Sequence, residues 1–466
     1  MSTREWLSGA DRAWLLMDRP TNLMMIVGLI VLERPFERAR LRNLVAARFL
    51  RFQRFRCIPV GDTWGARWVE TGQFDIDDHV ICTALPAAAG QPELEALLGE
   101  LAGTPFNPGR PWWTFHLIER YGSGSAIITR IHHSYADGIA LVRVLFTLAD
   151  AGRGGVGRSA RAEPAPSSVS VPGLAELVPA PISAALRAGT SLAGLGIEHL
   201  LHPAEAPAAA LGALASTGEL VHIAALADDP QTRLKQPLSG ARRAAWADPL
   251  SLEEVHTVAH LLGCSVNDVL VSTLAGALGR YLTAQGDDVT ELTLRAVVPV
   301  NLRQDSEPPS LGNRFGLVFI GLPIGILHPL QRLEAVHTAM QELKNSPQAA
   351  ATLGLLSVVG SLPAPIEDPM ITLFSAKASL VFSNLHGPQK PLRLSGAVIR
   401  QVLFWVPEAG SIGTGISMLS YCSAVHFGVI SDRQMIARPH ELLALIGAEF
   451  ERLVCLVLLG SGERSE

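Results

Sequence analysis

Paired cysteines are missing from this chain of 466 residues. Its five cysteines are scattered, form no C-x-x-C pair and are odd in number. This pattern is typical of reduced thiols in a cytosolic protein rather than of a disulfide framework or a zinc site. We therefore expect no disulfides and no zinc.

Charge is also scarce. Charged residues make up 17% of the chain and the mean hydropathy is +0.27, whereas about 25% of a typical soluble chain is charged. This composition favours an apolar substrate or a membrane-facing surface. The net charge of -5 offers no overall attraction for nucleic acid, so we expect no nucleic-acid partner.

Charges of both signs interrupt the first twenty residues, which argues against a signal peptide. The longest uncharged run, 409–431, contains glycines, serines and a threonine. It fits buried strands better than a membrane helix of about 20 residues. We expect a cytoplasmic protein whose contact with the inner membrane or with lipid inclusions, where there is any, is peripheral.

The usual nucleophile patterns of acyl enzymes are absent as well. The chain has no G-x-S-x-G elbow and no cysteine with an adjacent histidine, so a covalent acyl-enzyme lacks an obvious nucleophile. What is present is His132-His133-x-x-x-Asp137-Gly138. A β-branched run predicts a strand before it, and the spacing from Ile139 to Ala149 predicts a helix after it.

Two imidazoles and a carboxylate in one loop between rigid elements are a candidate site for acid–base chemistry. Other interpretations remain open on these residues alone. His132 can be a packed strand residue, His133 a polar loop residue and Asp137 the N-cap of the next helix. A metal site is less favoured, because adjacent histidines on a strand point in opposite directions and no second ligand cluster follows. We expect no metal.

The motif resembles the signature of CoA-dependent acyltransferases of the chloramphenicol acetyltransferase-like fold and of peptide-synthetase condensation domains. Further stretches resemble, in the same order along the chain, the wax ester synthase/diacylglycerol acyltransferase (WS/DGAT) family. They are residues 7–17, 74–80, 110–113, 265–269, 298–303 with 312–313, and 383–388.

The resemblance implies a mixed α/β fold of two chloramphenicol-acetyltransferase-like domains with an active-site tunnel at their interface. We place the N-terminal domain with the motif at 1–150, a linker and apolar helical crossover at 151–240, and the C-terminal domain at 241–466. Glycine, proline and serine in 151–172 indicate a linker. The low-charge, proline-broken segment 174–227 predicts short helices that either bridge the domains or rest on a membrane or lipid inclusion.

The resemblance also implies roles at the motif. His133 is the general base, and Asp137 fixes the loop through an arginine, for which Arg303 is the candidate by position. His132 supports the loop, and Gly138 permits the turn. No cofactor is implied, since acyl-CoA is a substrate.

Other positions are implied to shape the site or bind substrate: Pro111, Trp112, Trp113, Asn267, Asp268 and Asn384. The tryptophans either line an acyl channel or are buried for packing. Asn267 either supports the site or caps a helix. Several stretches depart from the family pattern, among them Ser420-Tyr421-Cys422-Ser423, where the missing glycine predicts a wider hairpin loop.

The implied reaction transfers a long-chain acyl group from fatty acyl-CoA to a fatty alcohol or diacylglycerol. Two alternatives remain: a condensation or polyketide-tailoring acyltransferase that needs a carrier protein, or a weakly catalytic protein that coats lipid inclusions. The oligomeric state is also open, and a homodimer is possible on the sequence.

Overall fold

A computed structural model of the chain describes residues 5–61, 65–86, 89–150, 219, 222–303, 311–344, 346–360 and 364–462. The segment 151–172 and most of the predicted crossover at 174–227 lie outside these residues. In the described part no single helix is long and apolar enough to cross a bilayer; one pair, Leu252–Leu261 with Val266–Ala284, reaches that length and hydropathy only jointly and is bent by 100°.

The first part of the chain alternates helices with mostly antiparallel strands. Its elements are α1 (Gly9–Met17), β1 (Met25–Leu32), α2 (Arg38–Leu44), β2 (Cys57–Gly61), β3 (Ala66–Glu70), β4 (Val80–Cys82), α3 (Gln91–Ala102), β5 (Trp113–Tyr121), β6 (Gly124–His132) and α4 (Gly138–Phe146).

The second part continues with β7 (Arg242–Trp246), β8 (Leu250–Ser251), α5 (Leu252–Leu261), α6 (Val266–Ala284), β9 (Leu294–Asn301), β10 (Phe315–Leu322), α7 (Pro329–Lys344), α8 (Gln348–Val359), α9 (Ala364–Ala376), β11 (Leu380–His386), β12 (Arg393–Leu394), β13 (Ala397–Trp405), β14 (Thr414–Tyr421), β15 (Ala424–Asp432) and α10 (Pro439–Gly462).

One sheet has the strand order β12-β13-β1-β6-β5-β4. Its central strands β1 and β6 are buried along their whole length, as expected of continuous apolar runs with covered faces. Strands β12 and β13 come from the second part of the chain, and Val27 of β1 lies opposite Trp405 of β13. This sheet therefore contains strands from both sides of the predicted boundary at residue 241. The apolar periodicity of a strand does not specify which sheet the strand joins.

The other sheet has the order β10-β9-β11-β14-β15-β7, and β8 pairs with β15. Strand β11 runs parallel to both β9 and β14. Helix α6 packs into the core of this half and is buried over almost all of its 19 residues.

Strand β11 continues to His386, because its pairing with β14 persists through that residue. The wider hairpin loop predicted at 420–423 is wrong: Tyr421 pairs with Ala424, so Cys422 and Ser423 form a two-residue turn. Their φ angles are +50° and +64°, the left-handed values that such a turn requires, adopted here without glycine.

Candidate active site

The loop of the histidine motif lies between the end of β6 and the start of α4. Asp137 is the N-cap of α4, since its Oδ1 accepts a hydrogen bond from the backbone N–H of Ala140 at 2.8 Å. Tyr135 is fully buried and donates from its hydroxyl to the carbonyl oxygen of Cys57 at 2.6 Å. The loop is thus fixed at its end by a helix cap and at its centre by a buried ring.

Asp137 also forms a buried ion pair with Arg303, whose Nη1 donates to Asp137 Oδ2. The side chains are 4% and 2% exposed, respectively. Arg303 Nη2 donates to the carbonyl oxygen of Gly312 at 2.6 Å, and the backbone N–H of Arg314 donates to Asp137 Oδ2 at 3.0 Å. These contacts join the motif loop to the chain between β9 and β10.

His133 follows β6 directly and is 2% exposed. Its backbone N–H donates to the carbonyl oxygen of Met24 at 2.8 Å. Its ring stacks on Trp14 with a centroid distance of 4.1 Å and lies 5.5 Å from the ring of Phe315. Burial lowers the pKa of His133 to about 4, although Asp137 acts in the opposite direction. The imidazole is therefore neutral near pH 7, the form that can accept a proton.

His132 points away from His133, as alternation along a strand requires. Its ring lies 4.9 Å from that of Trp112 in an edge-on arrangement. Its Nδ1 accepts from the backbone N–H of Ser134 at 3.1 Å, and its Nε2 is 3.9 Å from Asp18 Oδ1. Burial, and then the neighbouring His133, lowers the pKa of His132 to about 3.

An apolar cavity borders His133. About 1220 Å³ of empty space, part of it open solvent, lies between α1, the start of α4, the β9–β10–β11 face and helices α8 and α9. The few polar residues in its wall include His133, Asp137, Thr352, Ser375, Ser383 and Asn384. Such a cavity suits a hydrocarbon chain with a reacting group held at the imidazole.

Gly138 lies in this wall. It is not among the residues with a positive φ angle, so the predicted need for a permissive turn is wrong. A Cβ at this position would lie 3.2 Å from Cγ1 of Val406, a tight contact. Glycine therefore avoids crowding between the start of α4 and Val406.

The Pro111-Trp112-Trp113 stretch is not in the cavity wall. Trp113 is fully buried at the start of β5, where its Nε1 donates to the carbonyl oxygen of Phe55 at 2.8 Å and its ring stacks on His79. Trp112 is half-buried against His132. This geometry favours packing over a channel lining for both indoles.

Asn384 lies in the cavity wall, and its Nδ2 donates to Asn267 Oδ1. Asp268 does not reach the cavity. It closes a capping box with Ser265, the N-cap of α6, and accepts a hydrogen bond from His337 Nδ1 at 2.8 Å if that nitrogen carries the proton. Asn267 thus supports a wall residue, whereas Asp268 stabilises a helix start.

Sequence reasoning missed Asp11 and Asn313. Both backbone and side-chain N–H groups of Asn313 donate to Asp11 Oδ1, at 2.9 and 2.8 Å, and Asn313 Nδ2 also donates to the carbonyl oxygen of His133 at 2.9 Å. Asp11 Oδ2 lies 3.5 Å from Arg54 Nη1. Both residues stand inside the stretches that resemble the family, which was the only signal for them.

Among the residues that the structure describes, no group of three or more histidine, cysteine, aspartate or glutamate side chains is arranged to hold a metal ion.

Sequence comparison matches residues 7–270 to the wax ester synthase/diacylglycerol acyltransferase catalytic domain and residues 311–454 to the WS/DGAT C-terminal domain. A probable diacylglycerol O-acyltransferase of Mycobacterium tuberculosis is 27% identical over 414 residues, which are 87% of this chain and 84% of that protein.

Structure comparison finds the same fold in the wax ester synthase/diacylglycerol acyltransferase from Marinobacter aquaeolei VT8. The TM-score is 0.68 at 20% identity, over 97% of this chain and 99% of that one. The first condensation domain of the calcium-dependent antibiotic synthetase gives a TM-score of 0.60 at 15% identity, over 98% of this chain and 96% of that one. A starter condensation domain of rhizomide synthetase, in complex with C8-CoA and Leu-SNAC, gives 0.57 at 14% identity, over 98% and 95%. These likenesses confirm the predicted two-domain, mixed α/β fold.

Proposed function

Because the chain belongs to the wax ester synthase/diacylglycerol acyltransferase family and is an O-acyltransferase, we propose that it transfers a long-chain acyl group from fatty acyl-CoA to a fatty alcohol or diacylglycerol, with His133 as the general base. One observation carries the proposal: a neutral, buried imidazole borders a large apolar cavity. A hydrocarbon chain gains from apolar burial, and a neutral imidazole is ready to accept a proton.

The reaction is a direct transfer. His133 takes the hydroxyl proton as the alcohol oxygen attacks the thioester carbonyl carbon. When the tetrahedral intermediate collapses, the carbon–sulfur bond breaks and the imidazolium returns the proton to the departing CoA thiolate. Atoms and charge balance without a cofactor.

Asp137 takes no part in proton transfer in this scheme. Its carboxylate is occupied by Arg303, by the backbone of Arg314 and by the N-terminus of α4. It holds the loop so that the imidazole stays beside the cavity. Asn384, held by Asn267, provides one of the few polar groups in the cavity wall and is a candidate contact for a reacting oxygen.

The substrates are proposed to reach the protein from a lipid phase. The support is the low proportion of charged residues in the chain and its apolar cavity. On this proposal the protein contacts a membrane or lipid inclusion peripherally through the segment 174–227.

The test is to incubate purified protein with palmitoyl-CoA and either hexadecanol or dipalmitoylglycerol, resolve the lipid products and follow free CoA. Wax ester or triacylglycerol formed in step with CoA supports the proposal. Turnover only with an acyl group on a carrier protein would favour the condensation-type alternative, and a folded protein inert toward all donors would favour a lipid-coating role.

His133→Ala and His132→Ala separate the two histidines. We expect His133→Ala to lower turnover by roughly 10²- to 10⁴-fold while acyl-CoA binding and folding persist. In His132→Ala, loss of activity is expected to follow loss of stability, because this ring packs on Trp112 outside the cavity. A folded His132→Ala enzyme that alone is inactive would reverse the assignment.

A further inference from the structure

The side chain of Asn313 has an orientation that its neighbours decide. This residue is 5% exposed, and its Nδ2 donates to two acceptors, the carbonyl oxygen of His133 and Oδ1 of Asp11. Exchanging the amide nitrogen and oxygen would set the amide oxygen against the carbonyl oxygen of His133, which has no proton to donate. Nδ2 must therefore face these two acceptors, and Oδ1 must face away from them.

Two buried polar atoms next to these hydrogen bonds are themselves without a partner in the described part of the chain. Asn313 Oδ1 and His133 Nδ1 have no hydrogen-bond partner of good geometry among the described residues. They belong to two residues that already touch through the His133 carbonyl. A buried polar atom without a partner is destabilising, so an adjustment that joins an acceptor to a ring N–H is favoured. Asp137, then the backbone of His133 itself, then the Asn313 side chain act to raise the pKa of His133 against the effect of burial.

We propose that Asn313 is a positioning residue whose Oδ1 accepts a hydrogen bond from Nδ1–H of His133, which leaves the unprotonated Nε2 of that ring facing the cavity. The inference rests on the proposed role of His133 as the base and adds what selects its tautomer. In a neutral imidazole one nitrogen is a donor and the other an acceptor, so an acceptor fixed at Nδ1 determines which nitrogen is free to take a proton.

Asp11, on α1, holds the side chain of Asn313 in place. Its Oδ1 accepts both N–H groups of Asn313, and its other oxygen lies near Arg54, whose Nη1 donates to the carbonyl oxygen of Tyr135 at 3.0 Å. The N-terminal helix therefore orients the amide, and the amide orients the imidazole. This support is separate from the Asp137–Arg303 pair, which holds the far end of the same loop.

Several other charged or titratable groups lie on the elements around His133. They are Asp137 and His132 on its own segment, Asp11 from α1, Arg54 before β2, and Arg303 and Arg314 on either side of residues 304–310. The tautomer at neutral pH is a cleaner measure than the pKa, because burial and the Asp137 carboxylate also shift the pKa of the ring, whereas only an acceptor at Nδ1 selects the neutral tautomer.

The experiment uses full-length protein with ¹⁵N-labelled histidine. Nitrogen shifts of His133, assigned by their loss in His133→Ala, report which nitrogen is protonated at pH 7. We expect the wild type to carry its proton on Nδ1. Asn313→Leu, which keeps the volume but removes the amide, is expected to move the ring toward the Nε2–H form. Asn313→Ala gives the same test should the larger side chain prevent folding.

Asn22→Leu is the matched control. Asn22 is equally buried, its Nδ2 donates to the carbonyl oxygen of Ile412 at 2.9 Å, and its Oδ1 accepts from Arg242. Its loss is expected to lower the melting temperature without changing the His133 tautomer. In acyl transfer, Asn313→Leu is expected to lower kcat by roughly 10- to 100-fold with acyl-CoA affinity unchanged, as for a displaced reacting group.

A wild-type His133 that carries its proton on Nε2, or a folded Asn313→Leu protein with an unchanged tautomer, would overturn the inference. The second result would leave the ring held by its own segment instead. A wild-type protein that transfers no acyl group would contradict the proposed function but not this inference, because the tautomer is measured without turnover.

Discussion

The buried ion pair between Asp137 and Arg303 allows a quantitative test of how the motif loop is held. Their side chains are 4% and 2% exposed. Removing one partner of a buried pair leaves the other charge desolvated and destabilises a protein by about 3–5 kcal/mol. Asp137→Asn keeps the side-chain size and a capping oxygen, so we expect a loss in that range. Asp137→Ala also removes the cap of α4 and is expected to lose about 1 kcal/mol more.

Arg303→Met is the reciprocal change and leaves the carboxylate without its cation. The double variant Asp137→Asn/Arg303→Met buries neither charge alone. We therefore expect it to lose about as much free energy of unfolding as the costlier single variant, rather than the sum of the two. Urea denaturation followed by circular dichroism measures all four proteins, and CoA release measures activity. Activity is expected to fall about 10²-fold wherever the loop is displaced by about 1 Å.

Asp368→Asn is the control, because Asp368 and its partner Arg19 are 59% and 44% exposed. An exposed pair contributes about 0–1 kcal/mol. Additive losses in the double variant, or single variants that lose no more than this control, would refute the argument that the pair holds the loop.

Burial lowers the pKa of His133 to about 4 and of His132 to about 3, so the unfolded chain, with its ordinary histidine pKa of about 6.5, binds protons first as pH falls. The free energy of unfolding should thus decline from about pH 6.5 to 3, and a urea midpoint that falls no more steeply in wild type than in His133→Ala would contradict this. Phe315, Leu317 and Phe319 all lie in the cavity wall, and Phe319 is about 13 Å along β10 from Phe315. Phe319→Ala is expected to lengthen the preferred acyl chain by roughly two to four carbons, at about 1.5 Å per bond. Ile320→Ala, on the opposite face of β10, should lower stability and leave the product chain lengths unchanged. Deleting 174–227 from a variant that still folds is expected to move the protein from the lipid fraction to the soluble fraction on flotation. Equal recovery of the intact protein and the deletion variant in the soluble fraction would count against membrane or lipid contact through this segment.

Much of the local structure was set by neighbouring residues and could be predicted from them. The strand before His132 and the helix after Asp137 follow from apolar periodicity over fewer than a dozen positions, and Asp137 as an N-cap follows from its place before that helix. The absence of a nucleophile elbow and the pair of imidazoles make the motif loop a candidate for direct acid–base chemistry, and the resemblance to the family is what singles out His133 as the base. The prediction of the fold came from the resemblance of further stretches to the family.

The tertiary structure decided which of these residues meet, although the resemblance had already suggested Arg303 as the partner of Asp137. Asp11 and Asn313 are 302 positions apart and Arg303 lies 166 positions from Asp137, so no local pattern joins them. The tryptophans at 112 and 113 are apolar enough for a channel or a core, and packing assigned them away from the cavity. β13 joined the first sheet, and a two-residue turn formed at Cys422 without glycine. Periodicity fixes which face of an element is apolar, whereas its partner is chosen by the free energy of the whole packed chain.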